Sequence, residues 1–444
     1  MRCPSPRLRV APLGVVAIAA LALAGCSAGS LTGGSSNDAK TITFLSPNDD
    51  ASVASGKALI AAFEKANPGV KVTMEQRPGG SDGDNIIKTR LSTGDMDDVF
   101  VYNNGSLLQA IKPATNLVPL GDQPWAHDID KLFAASSTVD GKLYGGPVGT
   151  AFGGGVLYNI PIYKKLHLHV PTTWAQFMRN SAAIKKAGIV PVEQTYAADA
   201  TWTSQLFVLG DYHNVQQQVP DFAKQYTAGK DKYATTPAAL AGFQHMQQVK
   251  DAGYFNKDFA SASLNDGLKA VATGTAAQYP QLGGSASAFD QVAPGKANDV
   301  GFFALPGPDS SSNGMTVWPG TSALYIPKTT EGDKLALAKK FIAFAATQAG
   351  CNAYIKGAPP EGPFLSKACK LPTNVSQVAK DTQAYFNSGN ATPALEFLSP
   401  IKGPNLEQIC IQVGTGQVSA QKGAQLYDDD VKKQAQQLGL PGWS

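Results

Sequence analysis

Two hydrophobic periods alternate along this chain. Residues 41–45 form a short β-rich run closed by a polar turn at 46–50. Leu59, Ile60 and Phe63 then recur at helical spacing, and Asn67, Pro68 and Gly69 end that helix. Residues 70–74 and 99–102 read as the next strands, the second followed by a turn at Asn103, Asn104 and Gly105. Thr173 and Gln176 have the spacing of a capping box, opening a helix that Gly188 closes, and 189–192 follow as a strand. Pro237 stands where a helix can begin, with Leu240, Phe243, Met246 and Val249 as its apolar stripe. Leu335, Ala338, Phe341, Ile342 and Ala345 make another stripe, and the last third of the chain is mainly helical in pattern. This alternation predicts an α/β fold whose helices cover largely parallel sheets. From Lys40 onward the patterned part runs to roughly 400 residues, too long for one core, so two lobes are expected.

The N-terminus has a different character. Arg2, Arg7 and Arg9 precede an uncharged apolar run over 10–23, which ends in Leu23, Ala24, Gly25 and Cys26. The run is shorter than the ~20 residues a membrane-spanning helix needs and reads as a secretion signal. Its end resembles a lipobox, which makes Cys26 the lipid-bearing N-terminus of the mature chain. The arginines are not paired, which argues against a twin-arginine route. Ser, Gly and Asn dominate the residues up to Asp38, as suits a flexible tether. The expected product is a body lipid-anchored on the extracytoplasmic face of a bacterial membrane.

Charge and cysteines narrow the partners. The chain has 37 Lys and Arg against 34 Asp and Glu, and the signal removes three arginines, leaving 34 against 34. That balance argues against nucleic acid and favours a neutral ligand. Five cysteines are present. Cys3 leaves with the signal and Cys26 carries lipid. In an oxidising compartment Cys351–Cys369 is the preferred bridge because it closes a short loop, with Cys369–Cys410 the alternative. No CxxC or nearby His suggests a metal, and the five histidines are scattered. HExxH and phosphate-loop motifs are absent.

Several segments then occur in an informative order. Phe63 to Val72 reads FEKANPGVKV, 140–147 reads DGKLYGGP, 156–159 reads VLYN, 170–177 reads VPTTWAQF and 186–191 reads KAGIVP. With the segment 274–279 they resemble, in sequence order over roughly residues 41–365, the family 1 extracellular solute-binding proteins, the sugar-capturing subunits of ABC importers. The resemblance implies a two-lobe, type II periplasmic-binding-protein-like fold with hinge strands and a central cleft. It implies crossings near 149–152, near 278–281 and near Lys328. The boundaries that follow are signal 1–25, tether 26–39, first lobe 40–149 with 281–328, and second lobe 150–280 with 329–444. The chain departs from the family pattern at 278–284, where an expected aromatic is missing and Trp318 stands in.

A sugar presents hydroxyls to planar polar side chains and C–H faces to aromatic rings. Loops at the carboxyl ends of strands can supply both. The ligand-binding candidates on that basis are Asn48, Asp49, Asn103, Asn104, Phe152, Asp199, Trp202, Gln278, Tyr279, Gln281, Trp318 and Glu361. Most have a plainer reading: Asn48 and Asp49 as helix caps, Asn103 and Asn104 as turn formers, Trp202 and Trp318 as core, Phe152 as a hinge residue, Glu361 as a solvated loop acid; Gln278, Tyr279 and Gln281 are expected beside the second crossing. Trp174 is expected in the core. The expected activity is binding without reaction, by a monomer with no cofactor and no metal, with transfer of the solute to a permease driven by a separate ATPase. A lipid-anchored carbohydrate-active enzyme and a signalling receptor are the alternatives; an enzyme of the first kind needs a carboxylate pair that no motif marks.

Overall fold

The computed structural model describes residues 40–443 apart from Asp199. The signal, Cys26 and the tether lie outside the described residues, as does the candidate Asp199. No helix among the described residues is long and apolar enough to cross a membrane.

The chain builds two separate sheets. The first joins β1 (Thr41–Pro47), β2 (Lys71–Arg77) and β3 (Val99–Asn103) in parallel, with β1 at their centre. A small hairpin, β4 (Thr138–Val139) with β5 (Lys142–Leu143), lies apart from it. The second sheet centres on β6 (Phe152–Asn159) and adds β7 (Val190–Val192), β8 (Ala276–Leu282), β9 (Val300–Ala304) and β10 (Met315–Trp318). The chain then returns to the first sheet, where β11 (Ser322–Tyr325) lies antiparallel to β3. The last strand, β12 (Ala391–Pro393), pairs with β10 in the second sheet. The first sheet is parallel except for β11, as the alternation predicts. The second is mixed: β6 is antiparallel to β8, β9 and β10.

The helix stripes pack as their spacing demands. Helix Asp50–Ala66 is capped by Asp49, whose carboxylate accepts the Ser52 N–H at 2.9 Å. It buries Leu59, Ile60 and Phe63 in the first core. Helix Trp174–Lys186 opens with the full Thr173/Gln176 capping box, and helix Pro237–Asp251 carries Pro237 in its first turn. Trp174 is buried, stacked on Phe177 and His245.

Core membership shifts the boundaries expected from the sequence. Leu337, Ala338, Phe341 and Ile342 of helix Gly332–Ala345 join the core of β1, β3 and β11, so this helix belongs to the first lobe. Conversely β9 and β10 lie in the second sheet rather than the first. The chain changes lobe between β10 and β11, at 318–322, and not at 278–281 or Lys328. β8 cannot be a crossing, because residues 278–282 pair fully with β6. A third crossing follows helix Gln348–Tyr354 and ends at helix Gln377–Ser388, which packs on β9. Cys351 and Cys369 are disulfide-bonded, tying this crossing to the first lobe, and Cys410 is buried and free.

Candidate ligand-binding site

The carboxyl ends of β1, β3, β8 and β10 and the start of β6 face the junction of the lobes. Two crossings run side by side there: Ala151 N–H donates to Pro363 O at 2.8 Å, and Leu365 N–H to Gly149 O at 3.4 Å. The third crossing is thereby held against the first, and both border the space between the lobes.

That space contains three cavities linked by shared lining residues. A crevice of about 500 Å³ is walled by Asn103, Asn104 and Ser106 from the first lobe and by Gln205, Glu396 and Lys402 from the second. Through Thr321 it adjoins a cavity of about 200 Å³ at the hinge, lined by Pro47, Ser52, Thr150 and Phe152. Through Ile355, Pro359 and Glu361 that cavity adjoins a third, of about 360 Å³, bordered by Ser287 and Asp290. The largest is within the usual range for small-molecule sites, roughly 300–1,000 Å³.

Tryptophan and acid organise the second-lobe wall. Trp318 is only 4 % exposed, and its indole N–H donates to Glu396 Oε1 at 2.6 Å. Glu396 Oε2 accepts from Lys402 Nζ at 3.0 Å, so one carboxylate holds both groups. Phe152 is half-buried and lies parallel to the Trp318 ring, with centroids 6.1 Å apart and planes 6° apart. The rings can approach because β6 carries glycine at 153–155; a Cβ on Gly154 would come within 2.5 Å of the indole. Phe152 is therefore the ring that faces the hinge cavity, and Trp318 the buried support behind it.

The other candidates separate into groups. Asn103 is half-buried on the crevice wall. Asn104 is a stitch: its amide donates to Gly320 O at 2.9 Å, and its oxygen accepts from Ser137 Oγ at 3.0 Å and from the Tyr325 hydroxyl. Asn48 and Asp49 are exposed, Asp49 serving as the helix cap, with Pro47 and Ser52 beside them in the hinge cavity. Trp202 is half-buried on the short 3-10 turn Thr201–Gln205; its carbonyl accepts from Gln205 Nε2, which places it next to a crevice residue. Gln278 and Tyr279 lie inside the second lobe, away from the junction. Gln278 bonds the Tyr163 hydroxyl and Ser181, and Tyr279 bonds Thr195. Gln281 is buried opposite Gly155, with its amide nitrogen unpartnered among the described residues. All three were expected at a crossing; mid-strand pairing in β8 turns them inward instead.

Glu361 does lie at the junction. Its backbone N–H donates to Thr150 Oγ1 at 3.3 Å, and burial pushes its carboxyl up to about 8, against the opposing effect of hydrogen bonds from Ser287. Gln205, Glu396, Lys402 and Glu407 are crevice residues outside the sequence-based set. Glu407 accepts from Thr201 at 2.8 Å, joining the C-terminal helices to the Trp202 turn. Among the described residues no group of three His, Cys, Asp or Glu could hold a metal ion. The arrangement offers amide, carboxylate and ammonium groups beside flat rings, the complement of a polyhydroxylated solute.

Known proteins resemble this chain. The family model for bacterial extracellular solute-binding proteins matches residues 49–350. A multiple sugar-binding protein of Streptococcus mutans is 27 % identical over 362 residues, which cover 79 % of this chain and 82 % of the relative. Among solved structures, a chitin oligosaccharide binding protein matches with a TM-score of 0.72 at 20 % identity, covering 89 % of this chain and 99 % of the other. The solute-binding protein RafE in complex with raffinose matches with a TM-score of 0.72 at 19 % identity, covering 89 % and 99 %. These likenesses give the two-lobe fold of periplasmic solute-binding proteins.

Proposed function

Because this chain belongs to the bacterial extracellular solute-binding proteins, we propose that it captures a sugar or oligosaccharide between its lobes and delivers it to an ABC permease. The observation that carries the reading is the crevice of about 500 Å³, in which amide and charged groups of both lobes face one another across the hinge. A solute that touches both walls favours the closed arrangement by its differential affinity. The sugar-binding relative and the raffinose-bound neighbour support the choice of solute class. The protein acts without catalysis, as a monomer, and the energy for transport comes from a separate ATPase.

The finer reading adds lipidation at Cys26, with a tether that leaves the body free above the membrane. A Cys26→Ser chain then moves from the membrane fraction to the soluble one; retention in membranes rejects the anchor.

The central test is a thermal-shift screen of neutral sugars, with amino acids and peptides as comparison. At a hundredfold excess over its dissociation constant a ligand adds about 2.7 kcal/mol of stability. Stabilisation by peptides and by none of the sugars refutes the proposed solute class.

A further inference from the structure

Glu361 occupies an unusual place among the cleft groups. It lies in the partition between the hinge cavity of about 200 Å³ and the neighbouring one of about 360 Å³, lining both. It rides on the third crossing, yet reaches the second lobe: a Cβ on Gly284 would sit 3.0 Å from its Oε2. Its backbone is tied to the first crossing through Thr150. Glu361 thus links the first and third crossings to the second lobe.

The charge around it is one-sided. Among the described residues, neither cavity is lined by Lys, Arg or His. The titratable groups that face it are Asp290, from helix Phe289–Val292 across one cavity, and Tyr354, at the end of helix Gln348–Tyr354 across the other. Asp49 acts on Tyr354 from beyond and adds another negative charge. Ser287 is a neutral partner, and Phe152, Pro359 and Ile355 are apolar. A carboxylate here has no cation to pair with, and burying it costs more than burying the neutral acid.

We propose that Glu361 is a specificity-determining residue that meets the bound solute as an uncharged carboxylic acid, donating its proton to a solute oxygen. This rests on the reading of the crevice as a sugar site and deepens it by extending the site through Thr321 into the hinge cavity that Glu361 lines. A neutral acid donates one hydrogen bond and accepts others, which suits a hydroxyl or ring oxygen of an uncharged solute. Ionisation removes the donor and places a bare charge between the lobes, so capture weakens as the group loses its proton. Burial already pushes the carboxyl up to about 8. If only the protonated form binds, at pH 9.5 about 3 % of the protein is competent, a loss of roughly 30-fold in affinity relative to pH 6.5.

The experiment has two arms on the purified protein. The first titrates the Glu361 carboxyl by carbon-13 NMR without added ligand, assigning it by its disappearance in Glu361→Gln. The second measures dissociation constants for raffinose, chitobiose and galactose at pH 6.5 and 9.5, with glucosamine and glucuronate alongside, for the parent, Glu361→Gln and Glu361→Ala. The expected result is a carboxyl that titrates far above the ordinary glutamate range. Neutral-sugar affinity falls with pH in the parent, the pH dependence disappears in the Gln variant, and the Ala variant binds more weakly at both pH values. Melting temperatures of the variants check folding. An ordinary titration, equal affinity at both pH values, tighter binding of glucosamine than of neutral sugars, or a preference for glucuronate overturns the proposal while leaving the sugar site standing. If no sugar binds at either pH, both readings fall together.

Discussion

Replacing Gly105 by alanine separates two effects that the hinge superimposes. Gly105 opens the short helix Gly105–Ala110 of the first lobe with φ 63°. A Cβ there would lie 2.8 Å from Glu396 O and 3.0 Å from Phe397 Cδ1, both in the second lobe. The left-handed backbone costs alanine about 1 kcal/mol wherever the lobes stand, so that part appears in unfolding. The overlap with Glu396 and Phe397 arises only when the lobes approach, and overpacking of this kind costs about 1–2 kcal/mol. At 1.4 kcal/mol per tenfold, affinity for a solute that needs the closed arrangement falls roughly 5- to 30-fold. Gly188→Ala is the control: φ is 77°, and a Cβ there meets nothing within 4 Å. It should lose comparable backbone stability without losing affinity. Thermal unfolding and titration calorimetry with a sugar that stabilises the parent give both numbers. If Gly105→Ala binds as tightly as the parent while unfolding like Gly188→Ala, the lobes do not meet at Gly105 when solute is bound.

Further outcomes follow from single contacts. Glu396→Ala leaves the buried Trp318 N–H without its acceptor and Lys402 without its partner, an expected loss of about 2 kcal/mol in denaturant unfolding that Glu396→Gln partly restores; an unchanged midpoint for Glu396→Ala refutes the anchor. Trp318→Ala is expected to cost about 3–5 kcal/mol, since the ring is core-like, so its effect on binding is read only alongside stability; a small loss would mean an exposed platform. Asp211 is buried, with one oxygen unpartnered, and burial pushes its carboxyl up to about 8. The folded chain keeps a proton that the unfolded chain releases, so this contribution is whole below the ordinary Asp value of 3.8 and is lost as pH rises through 8. Melting of Asp211→Asn should therefore depend less on pH between 4 and 8 than that of the parent; an equal slope removes Asp211 as the cause. Cys369→Ser opens a loop between residues 18 apart and should lower stability by about 3 kcal/mol in a denaturant titration.

Local patterns fixed the local elements. The Asp49 cap, the Thr173/Gln176 box, Pro237 at a helix start and the stripes at 59–63 and 335–345 need only nearest neighbours along the chain, and they lie where their spacing puts them. The ordered motifs were enough to identify the family, because they sample much of its length. Strand partners were not legible in the same way. A β-run such as 276–282 reads alike whether it crosses a hinge or pairs along its length, because alternation specifies a face and not a partner. Gln278 and Tyr279 were misplaced for that reason, and β9, β10 and helix Gly332–Ala345 changed lobes.

The crevice itself belongs to the tertiary structure. Glu396 and Lys402 come from a stretch with no periodic signal; Glu396 meets Trp318 beside the pairing of β12 with β10, and Lys402 meets Glu396. Sequence determined that Trp318 is a ring near a turn; packing decided that it supports Phe152 from behind rather than facing the cleft. In the same way sequence placed an acid at 361, while the packing of two crossings against the second lobe decided that it lines two cavities with no Lys, Arg or His in their walls. Spacing along a chain governs which residues share a helix or strand. Which groups lose their water, and what remains to pair with them, depends on segments hundreds of residues apart meeting in space, and only the folded arrangement brings them together.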